Sequence, residues 1–158
     1  MFSRILVCMD LTQESELLVK YALDQARCSG GSVILAHVID MPQESVPISF
    51  RPGANEREEL VDVENDDIHE GELTAMSYLE NHARDLRDKG VPAEGVIIRG
   101  TPGESITAFA EENSIDLIII TNPRKNVIGR AVFGSVTDHV LHHADAAVLA
   151  IRTGDSGQ

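Results

Sequence analysis

Three cations, Arg124, Lys125 and Arg130, share one short stretch with Gly129, and Gly134-Ser135 closes it before a segment of helical spacing. Clustered positive charge followed by the free N–H groups of a helix start suits an anion such as phosphate. Asp10 ends an apolar run near the N-terminus, and a carboxylate there suits ribose hydroxyls or a metal. His139, His142 and His143 recur at i, i+3 and i+4, a spacing that can put two imidazoles on one metal. No cysteine or carboxylate ligand stands obviously beside them. The expectation is therefore a solvated helix end, where protonated histidine complements the macrodipole. His37 is expected to be satisfied within a sheet, and Cys8 and Cys28 to be reduced thiols rather than a disulfide. No paired general acid and base and no nucleophile beside a histidine stands out.

These residues need elements to hold them. Ile115 to Ile120 is a nearly continuous apolar, β-branched run, as expected of a strand buried on both faces of a parallel sheet. Arg4–Met9, Ser32–Ile39, Val96–Arg99 and Ala146–Ile151 read as four more strands. Between them fall helices from Thr12, as N-cap, to about Cys28, from Ile68 to Lys89, and from Pro102 to near Asn113. Thr101, Pro102 and Glu104 predict a capping box with proline at the first helical position. Ser135 predicts the cap of a last helix, whose apolar face is Val136, Val140 and Ala144, with Asp138 as a weak partner. The segment 41–67 holds Pro42, Pro47, Pro52 and a strongly acidic run from Glu56 to Asp67; it reads as an irregular excursion whose acids form a solvated face or flexible lid, with a metal or partner site as the alternative.

With 158 residues, the chain is expected to form one domain over 1–152, with a disordered tail at 153–158. The formal net charge of −13 argues against non-specific nucleic-acid binding. No apolar run reaches the length of a membrane span, and no signal peptide is evident, so a cytoplasmic location with no membrane partner is expected. Strict alternation of strand and helix predicts an α/β fold, a five-stranded parallel doubly wound sheet of order 3-2-1-4-5. Its switch point lies between the first and fourth strands, where ligands bind beyond the carboxyl ends. Asp10 then faces the loop Thr121–Phe133.

The chain resembles the universal stress protein family over essentially its whole length. The resemblance rests on R-I-L-V-C-M-D at the start, A-H-V-I-D after the second strand, R-G-T-P-G-E-S-I before the third helix, D-L-I-I-I, and G-S-V-T-D-H-V-L-H-H-A. It implies a Rossmann-like fold of that family and usually a homodimer. It also implies that the site binds ATP or AMP in some members and not in others. By the same resemblance, Asp10 matches a ribose-binding aspartate, Val38 a residue whose backbone contacts adenine, and Gly134, Ser135 and Val136 the helix start of the phosphate loop. Two leading glycines of that loop fall on Thr121 and Arg124. Glycine there lets the backbone take unusual φ/ψ and approach phosphate, whereas positive φ is strongly disfavoured for threonine. Leu11 stands where the family often has glycine, a smaller departure.

Three functions are consistent with this pattern. One is a regulatory adenine-nucleotide binder in which Arg124, Lys125 or Arg130 replaces lost backbone contacts, with magnesium arriving only with the nucleotide. Another is a dimeric stress or signalling module that binds no nucleotide. A third is an adenylyl-transferring or nucleotide-hydrolysing enzyme on the same fold. In each, Ala146–Ile151 is an unprotected apolar edge expected to pair with its own copy.

Overall fold

The five apolar runs become five parallel strands, β1 (Arg4–Cys8), β2 (Ser32–Ile39), β3 (Ala93–Arg99), β4 (Leu117–Pro123) and β5 (Ala147–Thr153). Four helices alternate with them: α1 (Glu16–Ser29), α2 (Asp62–Asp88), α3 (Pro102–Glu112) and α4 (Ser135–His143). The computed structural model describes residues 1–41, 62–123 and 134–153. The sheet order is β3-β2-β1-β4-β5, the doubly wound order expected. Val7 at its centre is registered with Leu35 on one side and Ile119 on the other.

Side chains of a strand alternate between faces, so β1 feeds two cores. Ile5, Val7 and Met9 pack with Leu18, Ala22 and Ala26 of α1 and Leu79, Ala83 and Leu86 of α2. Leu6 and Cys8 pack with Ile106 and Ala110 of α3 and Val140 of α4. Burying a large aliphatic side chain is worth about 1.5–3 kcal/mol, so the nearly continuous apolar runs follow from burial on both faces. Gly30, in the left-handed region at φ 68°, ends α1 and returns its N–H to Ala26 O.

Several boundaries differ from those read in the sequence. Helix α1 begins at Glu16, because Thr12 is bonded into a preceding turn instead of capping the helix. Helix α2 begins at Asp62, not Ile68, so the last part of the acidic run is helical. Carboxylates in the first turns of a helix complement its dipole, which makes acidity there compatible with helix. The rest of the 41–67 excursion, 42–61, lies outside the described residues. Thr101 takes the N-cap position of α3 and Pro102 the first helical one, but the Thr101 side chain makes no capping hydrogen bond among the described residues. At α4 the N-cap residue is Gly134, again with no side-chain cap, and Ser135 is already helical. Strand β4 runs on through Thr121 and Asn122 to Pro123 because β5 pairs with it to Thr153. Thr153 is thus a strand residue, and the remainder of the expected tail lies outside the described residues.

Candidate functional site

The carboxyl end of β1 is built by hydrogen bonds that begin where the ladder stops. Met9 N–H still donates to Ala36 O at 2.7 Å. The Met9 carbonyl accepts from His37 Nδ1 at 2.9 Å, which puts the ring proton on Nδ1 and satisfies this sheet histidine. Asp10 follows, exposed, and its Oδ1 accepts from Thr12 N–H at 3.0 Å and Thr12 Oγ1–H at 2.5 Å. The turn forces Leu11 into the left-handed region at φ 63°. Left-handed backbone costs a residue with a Cβ about 1–2 kcal/mol, which the surrounding bonds and the packing of Leu11 on the core must offset. The position described from the family resemblance as a small departure is therefore the strained one.

Beyond this turn lies a cavity of about 340 Å³ between the ends of β1, β2 and β4 and the starts of α3 and α4. Its apolar lining includes Cys8, Ala36, Ile106 and Ile120, and its polar lining includes Asp10 and the first turn of α4. Burial pushes the Cys8 thiol up to about 12, so this sulfur is an uncharged wall. Thr137, buried on α4, donates from Oγ1 to Thr121 O at 2.8 Å and fixes the helix start to the end of β4. Among the described residues no side chain caps α4, and the first N–H groups of a helix have no partner within it, which suits an anion. Gly103 lets α3 and α4 meet: a Cβ there would lie 2.8 Å from His139 Cβ.

Of the residues singled out in the sequence, Asp10, Val38, Thr121, Gly134, Ser135 and Val136 all line this cavity. Arg124, Lys125 and Arg130 lie outside the described residues. Thr121 does not take the positive φ that a glycine there would allow. Thr121 sits in β4 opposite Ile151, and among the described non-glycine residues only Leu11 and Ser114 have positive φ. The chain extends a strand where the family motif has its first glycine. Sequence reasoning missed Thr137, although its spacing to Val140 and Ala144 puts it on the buried stripe of the helix. It also missed Pro102 and Ile106, which line the cavity from α3.

The three histidines of α4 are engaged locally. His142 Nδ1 donates to Asp138 O at 2.8 Å, His143 Nδ1 to His139 O at 2.9 Å, and the His139 and His143 rings stack at 4.1 Å. Among the described residues no group of three His, Cys, Asp or Glu is placed to hold a metal ion. No helix among the described residues is long and apolar enough to cross a membrane.

The universal stress protein MJ0577 of Methanocaldococcus jannaschii is 26% identical over 99% of this chain and 98% of its own. The solved structure of MJ0577 superposes with a TM-score of 0.75 at 27% identity, covering 99% of each chain. The universal stress protein UspA from Lactobacillus plantarum shares the fold, with a TM-score of 0.74 at 21% identity over 96% of this chain and 98% of that one. So does a universal stress protein in complex with cAMP, at a TM-score of 0.69 and 21% identity over 97% and 99%. A profile of the universal stress protein family matches residues 1–152, and the chain belongs to that family.

Proposed function

We propose that the cavity binds an adenine nucleotide, AMP or ATP, and that the protein is a regulatory stress-response module of the cytoplasm, working as a homodimer. The observation that carries this reading is the convergence, in one cavity at the switch point, of three surfaces suited to three parts of a nucleotide. The apolar lining suits a base, with Val38 at the end of β2 supplying backbone. Asp10 suits sugar hydroxyls, and the N-terminal start of α4 suits phosphate. A relative of the same fold is in complex with cAMP, a ligand of this chemical class. Magnesium, where present, would come with the phosphates. Binding and release are enough for such a role, and it requires no catalytic residue.

One observation favours the second reading, a dimeric module without nucleotide. The Thr121 carbonyl accepts from Thr137, and β4 continues through the position where the family resemblance places the first glycine. A backbone wrap around phosphate starting at Thr121 is then lost, which weakens the case for a bound nucleotide. The test is to denature freshly purified protein and identify any adenine nucleotide released, then to titrate AMP and ATP into parent and Asp10→Ala and assay turnover. Binding that weakens about ten-fold or more in Asp10→Ala, as expected for a lost charge-assisted hydrogen bond, supports the proposal. Absence of released nucleotide and of binding by the parent rejects it in favour of the second reading. Multiple turnovers by the parent would favour an enzyme.

A further inference from the structure

We infer that Thr12 determines sugar specificity at this site, limiting the grip of Asp10 on a ribose to one carboxylate oxygen. The inference rests on the adenine-nucleotide reading. A carboxylate grips a vicinal diol side by side, one hydroxyl on each oxygen. Here Oδ1 already accepts two donors, Thr12 N–H at 3.0 Å and Thr12 Oγ1–H at 2.5 Å. An sp² oxygen has two lone pairs, so Oδ1 is filled. Among the described residues no hydrogen bond reaches Oδ2.

Thr12 is not free to rotate away. Its Oγ1 accepts from Ser15 N–H at 3.3 Å, which leaves the single hydroxyl proton directed at Asp10. Its carbonyl accepts from Ser15 Oγ–H at 2.8 Å and Ser15 N–H at 3.1 Å. Tyr78 of α2 lies 3.4 Å from the same carbonyl and, with that carbonyl already accepting two donors, gives its one hydroxyl proton to the Glu16 carboxylate at 3.3 Å. Ser15 is fully buried, so this turn is anchored from both α1 and α2. A sugar entering the cavity meets a carboxylate with one oxygen to offer, so its two hydroxyls compete for Oδ2 instead of taking one oxygen each.

The experiment compares AMP, 2′-deoxy-AMP and 3′-deoxy-AMP by calorimetry on the intact protein. In the parent, removing either hydroxyl should cost less than the roughly ten-fold of one full charge-assisted hydrogen bond, because the hydroxyl that remains keeps Oδ2. Thr12→Val keeps the N–H and the shape but frees a lone pair of Oδ1, so each analogue should then bind more weakly than AMP by about ten-fold or more. Thr12→Ser keeps the hydroxyl and should retain the parent pattern. A parent that loses about ten-fold or more with each analogue overturns the inference without any variant, as does a Thr12→Val protein with an unchanged pattern. Failure of the parent to bind AMP at all would instead reject the nucleotide reading and this inference with it.

Discussion

Cys8 and Cys28 are two thiols in opposite settings: one is buried in the cavity wall, the other exposed near the end of α1. Burial raises the Cys8 thiol from its ordinary 9.0 to about 12, which leaves almost no thiolate at mildly alkaline pH. Alkylation of the native protein should therefore give one adduct, on Cys28, and the second only after denaturation, as mass spectrometry would read directly. Equal labelling of both in the native state would mean that the cavity wall opens on the timescale of the reagent. The same shift carries a sign for stability. The contribution of neutral Cys8 is complete below the ordinary value and is lost as pH rises toward about 12, because only the unfolded chain ionises in that window. Single residues were unevenly legible in the sequence. Asp10 was visible as a carboxylate at a strand end, whereas the strain at Leu11 was not, since leucine gives no local sign of φ 63°. The turn imposes it through Asp10 and Thr12.

At the scale of elements, the walls of the cavity depend on how closely α3 and α4 approach. Gly103, at the first turn of α3, is buried against His139, and an added Cβ would meet His139 Cβ at 2.8 Å. Alanine is the better helix former by roughly 1 kcal/mol, while overpacking costs roughly 1–3 kcal/mol. The second effect should win, because the opposing atom is a Cβ tied to backbone and not the tip of a flexible side chain. Gly103→Ala should lower the melting temperature by several degrees and weaken ligand binding, since Pro102 and Ile106 on one helix and Val136 and Thr137 on the other line the cavity. An unchanged melting temperature would show that His139 gives way. The core of each element was legible from apolar spacing, but the ends were not. The start of α2 is polar and carries no period to read. The last residues of β4 and β5 are strand because they pair with each other, a condition that no local pattern contains.

At the scale of the molecule, the fold was legible because a parallel sheet covered on both faces writes itself as apolar runs separated by helices. Its exposed edge leads to an assembly prediction. β5 pairs with β4, its central residues Val148 to Ile151 are only half buried, and nothing among the described residues covers its other side. An open apolar edge is a template for a second strand, and a second copy across a two-fold axis would cover it. Along a strand, successive N–H groups aim to opposite sides. Ala147 N–H donates to Asp116 O on the β4 side at 3.1 Å, so Leu149 and Ile151 aim the same way, while Val148, Ala150 and Arg152 aim at the open edge. Proline is tolerated at an edge position whose N–H faces outward. Ala150→Pro should therefore keep the fold, seen as a parent-like circular dichroism spectrum, and yet be monomeric where the parent is a dimer by light scattering at micromolar concentration. Because each chain carries a formal charge of −13, the parent dimer should also tighten as salt screens the repulsion between copies. A parent that stays monomeric at every salt concentration, or an Ala150→Pro protein that still dimerises, would mean that this edge is not the interface.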